Sequence, residues 1–184
     1  MISIRRHHPA DWAAVWPILR TAIASGDTLA DAPGSSEAAI RAAWMERPAA
    51  TYVAVGPDGR IVGVCLLKPN QPGLGSHVAN CGYVVDPAAR GRGVAAAMCE
   101  HSQAEALAQG YRAMQFNLVV ASNEGAVRLW KRLGFAEVGR LPGAFRHGQL
   151  GFVDALVMFK TLSAPAGAVP GPADVAEADG ERRR

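Results

Sequence analysis

The sequence predicts one mixed α/β domain, built on a mostly antiparallel sheet of about seven strands flanked by about four helices. Three observations carry this prediction. The chain has 184 residues, which suits one domain with a short extension. Hydrophobic residues make up 49% of it, which is enough for a core. Segments with strand-like and helix-like periodicity alternate along residues 1–162 in the order β-α-α-β-β-β-α-β-α-β-β.

The individual elements follow from periodicity and from the residues that end them. We predict strands at 2–6, 51–56, 60–68, 76–86, 113–120, 135–141 and 152–161, and helices at about 10–25, 36–47, 92–109 and 123–133. Gly26 and Pro48 end the first two helices. The turn residues 56–59 predict a hairpin between the second and third strands. The strand–helix–strand unit at 78–120 predicts a right-handed parallel crossover, which makes the sheet mixed.

Two segments are predicted to lie outside the regular elements. Residues 163–184 are rich in alanine, proline, glycine and acidic residues, and they lack periodicity. This composition predicts a disordered tail. Arg146-His147-Gly148 is predicted to form the loop between the last two strands.

Composition argues against several functional classes. The longest apolar run, residues 61–67, is far shorter than the roughly 20 residues of a membrane span, and the first residues lack the apolar centre of a signal peptide. The net charge is +3, and the basic residues are scattered without an aromatic-basic stripe, which argues against nucleic-acid binding. Cys65, Cys81 and Cys99 lie in apolar segments without metal-ligand spacing. We therefore expect reduced thiols, no metal site and a cytoplasmic protein.

An anion-binding loop is predicted within residues 84–95, where an apolar strand ends and a helix begins. Gly91 and Gly93 let the backbone approach a ligand closely. The first N–H groups of a helix lack internal partners and carry partial positive charge. Arg90 and Arg92 add mobile positive charge beside them. A pyrophosphate fits such a site.

Three other interpretations of this loop compete with an acyl-carrier pyrophosphate site. A Walker P-loop is excluded because no Gly-Lys-Ser/Thr follows the glycines. Gly91-x-Gly93-x-x-Ala96 matches a dinucleotide fingerprint, but it lies mid-chain after a hairpin and no acidic residue ends the next strand. A glycine-rich turn that caps a helix and binds no ligand stays open as a purely structural alternative.

Arg90-x-x-Gly93-x-Ala95 resembles the Q/R-x-x-G-x-G/A motif of the GCN5-related N-acetyltransferase (GNAT) superfamily, whose loop amides hold the pyrophosphate of coenzyme A. Residues 123–135 resemble a second motif of these enzymes, and the resemblance extends over most of residues 2–161. It implies acetyl-CoA as co-substrate and no metal. The implied cofactor-binding residues are Val84, Val85, Arg90, Gly91, Arg92, Gly93, Val94, Ala95, Asn123 and Trp130.

Acetyl transfer needs a positioned neutral amine, a route for its proton and a donor for the thioester oxygen. In the superfamily a backbone N–H on the strand before the loop is that donor, which corresponds to Val84 or Val85 if a bulge frees the amide. This strand carries no glutamate. The general base stays open among Asp27, Asp31, His77 and Asp154. Trp130 stands where many relatives have tyrosine; an indole cannot donate a proton, and core packing is its alternative role.

Asn80 and Asn117 lie within predicted central strands, where asparagine is disfavoured and a buried amide must find partners. We expect the two strands to be neighbours that splay apart, so that both amides lie beside the cleft. There they either bind a carboxylate or water, or they bind backbone. Asn123 is predicted to cap the helix that follows it and to touch the pantetheine arm.

A narrower resemblance appears in residues 69–160. The segments that carry it are Pro69-Asn70-x-Pro72-Gly73, Ser76-His77-Val78-x-Asn80-x-Gly82, Phe116-Asn117-Leu118-Val119 and Val153-Asp154-Ala155. They look like the fungal acetyltransferases that detoxify azetidine-2-carboxylate. The resemblance implies that Asn80 binds the acceptor carboxylate. With it we assign Asp27 and His77 to substrate binding, and Asn117, Asn123 and Val84 to catalysis.

The sequence therefore predicts direct acetyl transfer from acetyl-CoA to the amine of a small molecule, an amino or imino acid such as a proline analogue. One alternative is acetylation of a protein N-terminus or lysine. Another is a non-catalytic acyl-CoA sensor. Relatives are often homodimers, and the late strands offer edges for pairing with a second copy. Cys81 is also a conceivable acyl-accepting nucleophile, but His77 lies about 13 Å along the strand, so core packing is the preferred interpretation.

Overall fold

The computed structural model describes residues 1–162, so the predicted tail at 163–184 lies outside the described residues. The strands are β1 (Ser3–Arg6), β2 (Ala50–Val55), β3 (Ile61–Pro69), β4 (Val78–Val85), β5 (Ala113–Val120), β6 (Ala136–His147) and β7 (Gly151–Thr161). The helices are α1 (Trp12–Ser25), α2 (Glu37–Arg41, continued by a π-helical turn over Ala42–Glu46), α3 (Val94–Ala108) and α4 (Glu124–Arg132). The predicted element order and mixed α/β class are confirmed.

One sheet holds all seven strands, in the order β1-β2-β3-β4-β5-β7-β6. Among the strands of residues 1–162, only β4 and β5 are parallel neighbours, and α3 forms the crossover between them. Their pairing is limited to two positions, Val78 with Ala113 and Ala79 with Met114. Beyond these positions the two strands part. The splay that the sequence predicted therefore opens a gap in the middle of the sheet.

Each face of the sheet carries its own core. On one face α3 and α4 bury Met98, Met114 and Trp130. On the other face α1 and α2 bury Leu19 and Trp44. Burial of this apolar surface on both sides holds the central strands in place while leaving the gap between β4 and β5 unpaired.

Side chains of β4 alternate between these two cores, as strand geometry requires. Cys81 and Tyr83 pack on the face of α3 and α4. Val84 packs on the face of α1 and α2, where the ring of Trp44 also lies against Gly82. Asn80 has the same parity as Gly82 and Val84. It therefore faces α1 and α2.

The end of the sheet differs from the sequence prediction. Arg146 and His147 belong to β6, where they pair with Phe152 and Gly151 of β7, so the predicted loop is wrong for these two residues. The register shifts between Leu141 and Phe145, which lets the hairpin continue past the irregular stretch. Polar residues here sit in a long exposed hairpin, which is why their composition resembles that of a loop.

Two further predictions concern helix ends and thiols. Gly26 adopts a left-handed conformation (φ 62°) at the end of α1, which confirms it as the helix terminator. Cys65, Cys81 and Cys99 are free and buried. Among residues 1–162, no helix is long and apolar enough to cross a membrane.

Candidate active site

The gap between β4 and β5 exposes backbone groups that no strand pairs. At one end of β4 the Asp86 N–H donates to the Val62 carbonyl on β3 at 2.9 Å, so even-numbered residues of β4 bond to β3. At the other end the His77 carbonyl accepts from the Arg112 N–H beside β5 at 2.9 Å, so odd-numbered residues face β5. Past the paired positions, the N–H groups that point into the gap are those of Cys81, Tyr83 and Val85.

This alternation corrects the predicted oxyanion donor. Val84 pairs with Val64 and Val85 with Gly63 in an uninterrupted register, so within the described residues β4 has no bulge against β3. The Val84 amide points to β3 and is used in the sheet, which makes Val84 wrong as the donor. The Val85 amide faces the gap. The splay between β4 and β5 frees the N–H, and no extra residue is needed.

The loop after β4 has the geometry of an anion site. Gly91 and Gly93 have φ of 75° and 80°, and a Cβ at either position would meet no atom within 4 Å. Such left-handed backbone favours glycine, and the open space leaves room for a ligand. Gly93 is the N-cap of α3, and it supplies no side-chain hydrogen bond. The N–H groups of the first turn, which includes buried Val94 and half-buried Ala95, therefore point out of the helix without a side-chain cap.

Positive charge surrounds this loop. Arg90 and Arg92 are exposed, and neither forms an ion pair with any residue that the structure describes. Asp86 accepts from the Ala88 N–H at 2.9 Å, so it caps the turn and does not reach the gap. The loop can therefore neutralise the charge of a pyrophosphate with backbone N–H groups and two free guanidinium groups.

A chain of side-chain amides lies where β4 and β5 part. The Asn80 Nδ2 donates to the Gln115 backbone carbonyl across the splay at 2.9 Å. The Gln115 Nε2 donates to the Asn117 Oδ1, and the Asn117 Nδ2 donates to the Asn70 Oδ1, both at 2.8 Å. The structure thus brings together the two predicted asparagines and adds Asn70 and Gln115. Sequence reasoning missed Gln115, although its spacing of two from Asn117 placed both on one face.

The segment after α1 lies at the open end of the gap, beside Arg90 after β4 and Asn123 after β5. The carboxylate of Asp27 accepts from the hydroxyls of Ser25 and Thr28 at 2.6 and 2.9 Å. The Asn123 Nδ2 reaches the Thr28 hydroxyl at 3.4 Å. Burial raises the pKa of Asp27, but the two hydroxyl donors and the positive charge of Arg90 outweigh it and leave the pKa below its ordinary value. Asp27 is therefore ionised and is a weak base.

Asn123 and Trp130 both lie on or beside α4. The Asn123 Oδ1 accepts from the Ala126 N–H at 3.1 Å, which confirms Asn123 as the N-cap. Trp130 is 8% exposed, and its ring centroid lies 5.1 Å from that of Tyr83 and 5.2 Å from that of Phe116. The indole packs in the aromatic core, which is the alternative that the sequence left open for it.

Three predicted candidates are not brought to this site. His77 is exposed beside the Leu74 carbonyl, and it precedes the paired positions of β4 on the side away from the gap. Asp154 binds the Gly143 N–H and Arg140 at the irregular part of β6. Cys81 is buried, and burial raises the pKa of its thiol to about 12, so it cannot act as a nucleophile.

Similarities to known proteins agree with this geometry. The sequence model of the acetyltransferase (GNAT) family matches residues 15–135. The solved structure of a GCN5-related N-acetyltransferase from Kribbella flavida is 41% identical, with 88% of this chain and 98% of that chain covered and a TM-score of 0.84. The structure of a phosphinothricin acetyltransferase from Sinorhizobium meliloti in complex with acetyl-CoA is 20% identical, with 94% of each chain covered and a TM-score of 0.77. The last likeness shows the fold alone.

A curated relative points the same way. The N-acetyltransferase aca1 of Schizosaccharomyces pombe is 37% identical over 98 residues, which are 53% of this chain and 47% of that protein. This chain thus spans about half the length of that relative. The acetyltransferase superfamily that the loop motif indicated is confirmed by these findings. The chain belongs to the acetyltransferase (GNAT) family.

Proposed function

We propose that this protein transfers an acetyl group from acetyl-CoA directly to the amine of a small amino or imino acid of the proline-analogue type. The observation that carries the proposal is the amide chain at the closed end of the gap between β4 and β5. The other end of β4 leads into the phosphate-binding loop. A thioester that enters from the loop and an acceptor held by the amides meet in this gap.

Acetyl-CoA supplies an activated acyl group, and this chain binds and orients it. The free N–H groups of the first turn of α3, together with Arg90 and Arg92, suit the pyrophosphate. The N–H groups of Tyr83 and Val85 point into the gap and suit carbonyl oxygens there. A preorganised N–H at the thioester oxygen stabilises the negative charge that develops during attack, because it needs no reorganisation at that moment.

The amide chain supports an acceptor that carries a carboxylate. Asn80 uses one of its N–H donors on Gln115, and its second N–H is available to a carboxylate oxygen. Asn117 is exposed, so this end of the gap is open to water, which can take the amine proton. The low pKa of Asp27 agrees with a mechanism in which Asp27 does not act as a strong base. This agrees with the azetidine-2-carboxylate subgroup that the sequence resembles.

The test is release of the CoA thiol from acetyl-CoA across a panel of amines. The panel contains azetidine-2-carboxylate, its carboxamide as a matched acceptor without the charge, common amino acids, polyamines and short peptides. We expect turnover on the imino acid and much slower turnover on the carboxamide. Turnover on peptides alone would replace the proposal with protein acetylation. Tight acetyl-CoA binding without turnover on any amine would replace it with an acyl-CoA sensor.

A further inference from the structure

We infer that Asn70 is a positioning residue, which fixes the direction of the Asn117 amide for acetyl transfer; this rests on the proposed function. Asn70 follows β3 directly, and its backbone N–H donates to the Val78 carbonyl at 2.8 Å. That bond ties Asn70 to the start of the strand that carries Asn80. The side chain of Asn70 is therefore presented to Asn117 from an anchored backbone.

The hydrogen bonds give the amide chain a direction. An amide side chain has an oxygen that accepts and a nitrogen that donates, and a half-turn of the group exchanges them. Gln115 donates to Asn117, and Asn117 donates to Asn70. If only the Asn117 amide rotated by 180°, its nitrogen would face the Gln115 nitrogen and its oxygen would face the Asn70 oxygen. Only a concerted reversal of all three amides gives a second consistent arrangement.

The direction decides what the site offers to an acceptor. In the observed arrangement the Asn70 Oδ1 is taken by Asn117, and its Nδ2 has no protein acceptor within residues 1–162. The free group at this end of the chain is thus a donor, which suits a carboxylate. In the reversed arrangement the Asn70 oxygen would be the free group, and it would repel that carboxylate. Asn70 therefore sets both the orientation of Asn117 and the polarity of the exposed end.

Two nearly isosteric substitutions separate the two directions. Asn70→Asp removes one donor and adds one negative charge, but its carboxylate still accepts from Asn117, so the observed direction survives. Gln115→Glu makes the same change in charge, but its carboxylate cannot donate to Asn117, so the direction must reverse. Neither side chain lies in a core, so we expect both variants to fold with nearly unchanged thermal midpoints.

Steady-state kinetics with acetyl-CoA and the imino acid of the panel test the inference. We expect Asn70→Asp to keep kcat within about threefold while raising the acceptor KM, because it loses the free donor. Gln115→Glu should lower kcat by roughly tenfold or more, because misplacing one hydrogen bond to a charged group has an effect of this size. Asn70→Leu should lower kcat similarly, and Asn70→Asp should restore it relative to Asn70→Leu.

Each outcome separates the inference from the proposed function. Equal losses of kcat in Asn70→Asp and Gln115→Glu would overturn the inference, because charge alone would then explain them. Full kcat in Gln115→Glu would also overturn it. A wild-type protein that acetylates none of the amines would instead overturn the proposed function, and the inference with it.

Discussion

The two ends of the gap present different kinds of groups. The end that we assign to the pyrophosphate, the phosphate-binding end, presents backbone: two left-handed glycines, uncapped N–H groups of α3, and the N–H groups of β4 that the splay frees. The end that we assign to the amine, the acceptor end, presents side-chain amides, of which Asn70, Asn80 and Asn117 come from three separate segments. The glycines and the start of α3 are contiguous in sequence, whereas the amide chain exists only after the sheet has formed.

This contrast has a consequence for substitutions. A change of side chain at the phosphate-binding end matters through the backbone conformation that it permits. A change of one amide at the acceptor end alters the partners of the next amide as well. We therefore expect the first kind to change acetyl-CoA affinity and the second to change acceptor kinetics.

Gly93→Val is expected to have the largest effect. A β-branched residue at φ 80° is strained by about 1–3 kcal/mol. Relief of that strain would move the start of α3, so acetyl-CoA should bind roughly tenfold or more weakly, which calorimetric titration measures. Gly59→Val is the matched control, because Gly59 has φ 79°, equally open space and a position in the β2–β3 turn. Equal affinity in both variants would refute the loop assignment.

Asn80→Ala is expected to have the next largest effect, on the other end of the gap. It removes the donor to the Gln115 carbonyl and the donor that we assign to the acceptor carboxylate. A hydrogen bond to a charged group contributes about 1.5–3 kcal/mol, so kcat/KM for the imino acid should fall roughly tenfold or more.

Acetyl-CoA affinity of Asn80→Ala should stay near that of the wild type, and titration checks this. The carboxamide acceptor is the control, since it lacks the charge and should lose much less. Loss of kcat/KM to the same extent on both acceptors would mean that Asn80 only holds the strands together. Unchanged kinetics on the imino acid would remove it from the site.

The same contrast explains what the sequence could predict. The loop at Gly91 and Gly93 was predictable because strand, glycines and helix follow one another, and the chemistry lies in their order. Val84 was wrongly predicted as the donor because strand parity is set by hydrogen bonds to β3, which one sequence does not record. Gln115 was missed because its partners, Asn80 and Asn117, become its neighbours only through pairing across the sheet.

His77 shows the same limit of sequence-based prediction, because the sequence placed it in the site and the structure places it outside. It was assigned to substrate binding together with Asn80, but three residues along an extended strand are about 10 Å. That distance carries His77 past the paired positions to the far side from the gap. Long hairpins give a related error, since the exposed polar residues of β6 have the composition of a loop.

Asp27→Asn tests the segment after α1 beside the phosphate-binding end, with a smaller expected effect. The pKa of Asp27 lies below its ordinary value, so the wild-type carboxylate is already ionised across the neutral range. The variant should therefore keep the shape of the pH profile of kcat/KM. Its magnitude should change by about threefold or less, because one partly screened charge near Arg90 is lost. Loss of an acidic limb in the profile would identify Asp27 as the base after all.

Asp11→Asn is expected to change stability and leave both ends of the gap unaffected. The carboxylate of Asp11 forms a two-point ion pair with Arg5 at 2.7 and 2.8 Å, which joins β1 to the start of α1. The Arg5 hydrogen bond holds the pKa of Asp11 at about 2, below the ordinary 3.8. Because the pKa of Asp11 is lower in the folded protein than in the unfolded chain, its ionised form stabilises the folded protein at pH values above 3.8. This contribution is lost as the pH falls from 3.8 through about 2. Because Arg5 is half exposed, the substitution should lower the free energy of unfolding at neutral pH by only about 1 kcal/mol.

Denaturant titrations of the Asp11→Asn variant and the wild type should give free energies of unfolding that converge as the pH falls from 3.8 to about 2, while acetyl-CoA affinity and acceptor KM stay equal. A changed acceptor KM would mean that a change at the start of α1 alters the amide chain, which would contradict the expectation that Asp11 affects stability alone.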